Sequence, residues 1–167
     1  MRTIKAFAAM AMMLVIAACS NQQESAAAAS TTVTPGSIAD FRQNVGDRVF
    51  FDTDMSNIRE DGRQTLTRQA EWLKKYTNYQ ITIAGHCDER GTREYNLALG
   101  QRRADAARKY LENLGLDTAR ITTVSNGKER PRAAGSDEAA WKENRRDDLI
   151  PTAGNVGVSS ATQPGSR

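Results

Sequence analysis

The sequence predicts a β-sheet covered by helices, of the α/β or α+β class, within a chain of 167 residues. Short β-branched or aromatic runs, which are typical of buried strands, alternate with stretches whose apolar residues recur at helical spacing. This alternation favours right-handed crossover connections within one sheet. With 39% hydrophobic residues, the chain can form one modest domain with tails.

The apolar patterns locate the strands and the first main helix. Residues 48–52, 80–84 and 121–125 are the strand candidates. A helix is predicted over residues 59–76, because Leu66, Ala70 and Leu73 form an apolar stripe that would cover one face of the sheet. A short further helix is predicted after Ser136, which is a plausible N-cap.

A second main helix follows Thr92, a good N-cap, and is expected to end near Gly115. Ala107 begins its core-facing stripe, and Arg103 lies one turn earlier on the same face. An arginine there indicates either a stem packed along the core or a guanidinium that holds an anion. Gly100 is unfavourable in mid-helix, which suggests close approach of another backbone or a ligand.

The first 18 residues have the pattern of a secretory signal. Arg2 and Lys5 precede an apolar run, 6–18, that is shorter than the ~20 residues of a spanning helix. The run ends in Ile-Ala-Ala-Cys, which resembles the bacterial lipobox, so we expect cleavage before Cys19 and lipidation of its sulfur. An ordinary cleavage site with an incidental cysteine is the alternative. Residues 19–40 are predicted to form a flexible tether, because they show no apolar periodicity.

The charged and metal-binding residue types exclude some functions. The chain has 23 basic and 20 acidic residues, and removal of the leader leaves 21 basic residues, so nucleic acid is not an expected partner. Lipidation of Cys19 would leave Cys87 as a small buried thiol without a disulfide partner. His86 lies beside Cys87 without the further ligands that a metal site needs, so neither a metal nor a cofactor is predicted.

The stretch from Gly85 to Ala104 carries the chemistry, because an apolar strand there breaks into a charged turn and then into helix. An Asp before a Gly-containing turn, followed by Asn, Leu, a small residue and Arg-Ala, resembles the OmpA-like peptidoglycan-binding domain family. These residues are Asp88, Gly91, Asn96, Leu99, Gly100, Arg103 and Ala104. The likeness extends from about residue 49 to residue 146, and the lipobox adds a resemblance to the lipoprotein members of the family.

The resemblance implies an α+β domain over residues 41–150, a βαβαβ(β) sandwich with two main helices on a mixed sheet. It implies a non-enzymatic domain that holds meso-diaminopimelate of uncrosslinked stem peptides. The lipoprotein members belong to the Tol–Pal system, which implies TolB and TolA as partners and a role in envelope integrity and cell division. Because no aspartate follows Cys19 directly, the resemblance points to an anchor in the outer membrane, on its periplasmic face.

Asp88 and Arg103 are the residues expected to bind the ligand. The free end of diaminopimelate carries an ammonium and a carboxylate on one carbon, so Asp88 can accept from the first and Arg103 can make a two-point contact with the second. Amides near Thr92 add donors for an anion. Tyr95 is a further expected contact, and Arg145 is carried over from its place in the family motif. Three residues are expected to structure the turn: Gly91, Asn96 and Gly100.

Two other interpretations follow from the residues alone. Asp88 and Arg103 could neutralise each other as a structural ion pair. A wall hydrolase could use His86, Asp88 and Glu89 as acid–base groups. The second interpretation is weaker, because neighbours in an extended segment alternate sides and the chain has no second histidine to act as base.

The end of the chain departs from the family pattern. The resemblance places a final apolar strand between the first and second strands, whereas here Asp147 and Asp148 precede Leu149, Ile150 and Pro151. Aspartate is a poor strand residue, and proline lacks the donor that an interior strand needs. We therefore predict that this strand is absent or a stub, and that residues 151–167 form a disordered tail.

Overall fold

The computed structural model describes residues 33–154 and contains one mixed four-stranded sheet. In spatial order the strands are β1 (Arg48–Phe50), β4 (Arg146–Ala153), β2 (Tyr79–His86) and β3 (Ile121–Gly127). β2 and β3 are parallel, and β4 is antiparallel to both of its neighbours. The predicted α+β class with a mixed sheet is confirmed.

Two long helices dominate the helical layer. The α-helices are α1 (Ile38–Asp40), which continues as a π-helical turn over Phe41–Val45, α2 (Glu60–Lys75), α3 (Arg93–Asn113) and α4 (Glu138–Asn144). The Thr92 side chain caps α3 by accepting from the Tyr95 amide at 3.2 Å, as predicted. Asp137 caps α4, rather than the predicted Ser136. None of the helices within 33–154 is long and apolar enough to cross a membrane.

The hydrophobic core lies between the two long helices and one face of the sheet. The predicted stripe of α2 is buried, and so are Ala107 and Leu111 of α3. Ile81 and Ile83 supply the sheet side of this core. The opposite face of the sheet is more open, and Val124 remains 39% exposed.

The prediction that the last strand is absent or a stub is wrong. β4 has eight residues and lies between β1 and β2, where the family resemblance places it. The Leu149 amide donates to Asp47 on the β1 side, so the nitrogen of Pro151, two residues later, faces the same side. β1 pairing has already ended at Arg48 and Asp148, so the proline interrupts no ladder there.

The predicted disordered tail is also corrected, because residues 151–153 belong to β4. Residues 155–167 lie outside the described part of the chain.

The two aspartates of β4 lie on opposite faces of the sheet. On the open face, Asp148 pairs with His86 Nε2 at 3.3 Å and Arg146 Nη2 at 2.9 Å. Asp147 is fully buried, and neither of its carboxylate oxygens has a hydrogen-bond partner among residues 33–154. Burial raises the pKa of Asp147 well above 3.8. Asp148 therefore has charged partners on the open face, whereas Asp147 is buried without a hydrogen-bond partner among residues 33–154.

Two glycines allow α3 to lie close to the sheet. A Cβ atom at Gly85 would overlap the carbonyl oxygen of Gly100, and a Cβ atom at Gly100 would overlap the hydroxyl of Ser125. The predicted close approach of another backbone at Gly100 is confirmed. Gly100 was expected to structure the turn. It lies instead inside α3, where it sets helix–sheet packing.

We expect Asp147→Val to raise the free energy of unfolding by about 1–3 kcal/mol near neutral pH, because it removes a buried carboxyl group without a partner. The folded-state pKa of Asp147 lies above the unfolded one, so wild-type stability should fall as pH rises from about 4 toward that raised value. The variant should lack this component of the slope. Urea unfolding across the pH range measures both effects.

Asp148→Asn is the matched control in the same strand. Burial acts to raise the pKa of Asp148, but hydrogen bonds from His86 and Arg146 outweigh it and lower the pKa. Its stabilising effect is therefore present above the unfolded pKa and is lost as pH falls. This variant should be less stable than wild type at neutral pH. An Asp147→Val protein with the wild-type pH profile would contradict the assignment of Asp147.

We expect Gly100→Ala to lower the free energy of unfolding by about 1–3 kcal/mol through overpacking, although alanine normally stabilises a helix relative to glycine by about 1 kcal/mol. The overlap is with the Ser125 hydroxyl, so adding Ser125→Ala should restore part of the loss. Urea unfolding of the single and double variants tests this. A more stable single variant would show that α3 can move away from the sheet at little energetic expense.

Candidate functional site

A cleft of about 290 Å³ opens where β2 ends and α3 begins. Its walls come from the loop after β1, the turn after β2 and the first turns of α3. Among the residues predicted to bind a ligand, Asp88, Tyr95 and Arg103 line this cleft. Thr92 and Arg145 are not part of its wall. Thr92 caps α3, and Arg145 lies behind Asp88.

The turn between β2 and α3 is fixed by glycine and by two side chains. Gly91 has a φ of 87°, a left-handed conformation that glycine adopts readily. Asn96 Nδ2 donates to the carbonyl oxygen of Arg90 at 2.8 Å, and Lys128 Nζ donates to that of Gly91 at 2.7 Å. Gly91 and Asn96 were both predicted to structure this turn, and both lie at it in the structure. The contribution of Lys128 was not predicted.

Two arginines hold the carboxylate of Asp88. Oδ1 accepts from the backbone nitrogen and Nε of Arg90, both at 3.1 Å. Oδ2 accepts from Arg90 Nη2 at 2.6 Å and from Arg145 Nη1 at 3.3 Å. Burial acts to raise the pKa of Asp88, but these hydrogen bonds lower it. The cleft therefore contains an ionised, largely buried carboxylate.

Arg145 fixes Asp88 from behind. Its side chain is only 5% exposed, and its Nε donates to the carbonyl oxygen of Phe51 at 3.2 Å. Its Nη2 pairs with Glu138 at 2.7 Å. Arg145 was expected to contact the ligand, but its contacts in this structure orient the carboxylate that lines the cleft.

Arg103 is fully buried at the floor of the cleft. Its guanidinium donates to the carbonyl oxygens of Met55 and His86, both at 2.8 Å, and of Asp52 at 3.0 Å. A fourth contact, at 3.5 Å, is with Cys87 Sγ, a thiol whose pKa burial raises to about 11. Since a guanidinium has five N–H groups, one remains for a ligand in this arrangement, where the sequence predicted a two-point contact.

Asp88 and Arg103 are not paired with each other. Among the ion pairs of residues 33–154, those of Asp88 are with Arg90 and Arg145, while the hydrogen bonds of Arg103 go to carbonyl oxygens and a thiol. The structural ion pair that the sequence left open is therefore not formed. Both charges line the cleft without neutralising each other directly.

Tyr95 forms part of the rim of the cleft. Its hydroxyl is hydrogen-bonded to Asp54, which raises the pKa of Tyr95. The residue is 44% exposed, and the guanidinium of Arg102 lies 5.9 Å from the centre of its ring. Tyr95 thus offers an aromatic surface at the cleft entrance.

The acid–base groups proposed for a hydrolase do not converge. His86 faces Asp148 on the open face of the sheet, whereas Asp88 lies in the cleft. Glu89 accepts from Trp141 Nε1 at 3.0 Å. Within residues 33–154, no group of three or more His, Cys, Asp or Glu side chains is placed to hold a metal ion.

Arg90 is a charged residue of the cleft that was not predicted from the sequence. It follows Asp88 by two residues, a spacing at which an aspartate side chain commonly accepts from the backbone in a turn. Its guanidinium also lies 4.1 Å from the centre of the Trp141 ring. The turn signal was present in the sequence, but the stacking contact depends on α4, which is distant along the chain.

Comparison with known proteins identifies the family. The OmpA family profile matches residues 50–145. The peptidoglycan-associated lipoprotein of Rhizobium meliloti is 61% identical over 113 residues, which are 68% of this chain and 64% of that protein. That of Agrobacterium fabrum is 58% identical over 115 residues, or 69% and 65% of the two chains. The match thus spans slightly less than two thirds of either relative.

A solved structure agrees with both the sequence and the fold. The crystal structure of the peptidoglycan-associated lipoprotein from Burkholderia pseudomallei is 42% identical with a TM-score of 0.65. The similarity covers 70% of this chain and 100% of that one. These matches confirm the family indicated by the Gly85 to Ala104 stretch, and the chain belongs to the OmpA family.

Proposed function

We propose that this protein is an envelope lipoprotein that binds peptidoglycan non-covalently through meso-diaminopimelate of uncrosslinked stem peptides. The observation that carries the proposal is one cleft lined by an ionised Asp88 and a charged Arg103 that are not paired with each other. Similarity to peptidoglycan-associated lipoproteins supports the class of ligand. The binding residues are a proposal from the geometry of the cleft.

The ligand matches the cleft in charge and in shape. Its ammonium group would donate to Asp88, and its carboxylate would accept from the remaining N–H group of Arg103. The first turn of α3, which contributes Tyr95 to the cleft wall, adds the positive end of a helix dipole. Leu99 and Tyr95 supply apolar surface for the methylene chain of the ligand.

The proposal extends to an anchor in the outer membrane. Residues 1–18 would be removed as a signal peptide, Cys19 would carry acyl chains including palmitate, and residues 19–40 would be the tether. These residues lie outside the described structure, apart from 33–40. The Ile-Ala-Ala-Cys sequence supports this proposal, and so do the names of the lipoprotein relatives. A domain anchored on the periplasmic face and bound to the wall would link the two layers.

We also propose a role within the Tol–Pal system, with TolB and TolA as partners. The support is the similarity to peptidoglycan-associated lipoproteins and the lipobox. In this role the link between membrane and wall would serve envelope integrity and cell division.

We expect Asp88→Asn to abolish retention on purified sacculi, because loss of a largely desolvated charge costs on the order of 2–5 kcal/mol. Asparagine keeps the size of the side chain, and Arg145 keeps its contacts with Phe51 and Glu138. Co-sedimentation measures binding, and circular dichroism checks folding. Glu94→Gln is the matched control, because it removes one charge at a nearby exposed position, in the first turn of α3.

The same assay separates the competing interpretations. A folded Asp88→Asn protein that sediments like wild type would refute the site. New amino or reducing ends released by the wild type would instead indicate a hydrolase. Arg103→Ala is a poor probe, because it removes the hydrogen bonds to three carbonyl groups. The carboxylate contact is better tested with walls that contain lysine in place of diaminopimelate, to which the wild type should bind more weakly.

We expect Cys19→Ala to release the full chain from membranes, because stable anchoring requires more than one acyl chain and this variant could carry none on sulfur. Metabolic labelling with a palmitate analogue, followed by membrane fractionation, measures the effect. Cys87→Ala is the control, since Cys87 is buried and should take no label. Label that persists in the Cys19→Ala protein would refute lipidation at this residue.

A further inference from the structure

Arg90 donates hydrogen bonds to the Asp88 carboxylate, which the proposed ligand would also use. One oxygen of Asp88 receives both of its hydrogen bonds from Arg90, and the other receives one from Arg90 and one from Arg145. A carboxylate offers about four acceptor positions. All of them are filled by protein donors in this structure. An ammonium group can bind Asp88 only by replacing one of these donors.

The two arginines differ in how easily they can be replaced. Arg145 is 5% exposed and is also bonded to Phe51 and Glu138, so its departure would leave a buried cation with fewer partners. The Arg90 side chain is 40% exposed. Water can solvate its guanidinium when it leaves Asp88, so Arg90 is the donor that a ligand can displace.

A second contact is already in place for the displaced side chain. The Arg90 guanidinium lies 4.1 Å from the centre of the Trp141 ring, a favourable cation–π distance. Trp141 is itself held by a hydrogen bond from Nε1 to Glu89 at 3.0 Å. A change in the Arg90 side-chain torsions would break the contact with Asp88 and keep the contact with the ring.

We propose that Arg90 is a latch that competes with the ammonium group of the ligand for Asp88, and that it leaves Asp88 but keeps its contact with Trp141 when the ligand binds. This inference rests on the proposed function and deepens it. With a latch, the apparent affinity equals the intrinsic affinity multiplied by the fraction of molecules in which Asp88 is free. A simple amine gains only the contact with Asp88 when it displaces Arg90. A zwitterion also gains the contact with Arg103, so it offsets a penalty that the latch imposes equally on both ligands.

The test is calorimetric titration of the folded protein with a soluble stem peptide that ends in diaminopimelate. For a latch closed in about nine-tenths of molecules, Arg90→Gln should bind about tenfold more tightly than wild type. Arg93→Gln is the matched control, because it removes the same charge three residues away, from a side chain that is 66% exposed and pairs with Glu129. Its affinity should equal that of wild type.

Two further results make the test decisive. Arg90→Lys keeps a cation but loses the two-point grip on Asp88, so its affinity should fall between those of wild type and Arg90→Gln. Binding by Arg90→Gln that equals or is weaker than that of wild type would overturn the latch and leave the proposed function intact. Absence of binding by the wild type and by all three variants would overturn the proposed function, and the latch with it.

Discussion

One buried cation connects the segments that form the cleft. Arg103 extends from α3 and donates to the carbonyl oxygens of Asp52, Met55 and His86, which lie after β1 and at the end of β2. The ring of Phe51 lies 5.0 Å from its guanidinium. A charge removed from water is tolerated where fixed dipoles replace the water, and here backbone carbonyl groups do so. The loop after β1 is therefore held to the turn after β2 by a side chain that belongs to neither.

That contact depends on how close α3 lies to the sheet. Arg103 reaches the carbonyl oxygen of His86 because the backbones of α3 and β2 approach each other at Gly100 and Gly85, where no side chain would fit. The glycine pair is therefore a condition for the position of the guanidinium, three residues along the helix. The cleft can therefore hold its guanidinium only if α3 packs this closely on the sheet, although the glycines and the arginine look unrelated in the sequence.

The sequence predicted α2 and α3, which are marked by a repeating apolar pattern. It missed β4, whose polar residues and proline are tolerated only because of where they lie in the sheet. The stripes that define α2 and α3 repeat along the chain, so their bounds could be predicted to within two residues. β4 was rejected because Asp147, Asp148 and Pro151 are poor strand residues. Whether each is tolerated depends on which side of the strand it faces and where β1 stops pairing. That information lies in the register between strands that are about a hundred residues apart in the chain.

The same distinction applies within the site. Asp88 and Arg103 could be predicted from a glycine-marked turn and the phase of one helix, whereas the contact of Asp88 with Arg145 spans 57 residues and has no local signal. Burial then separates the two arginines that share this carboxylate. The partner that water cannot reach holds Asp88 in place, and the partner that water can reach is the one that can exchange. Arg145 therefore keeps the carboxylate oriented, while Arg90 competes with any new donor and must leave Asp88 before that donor can bind.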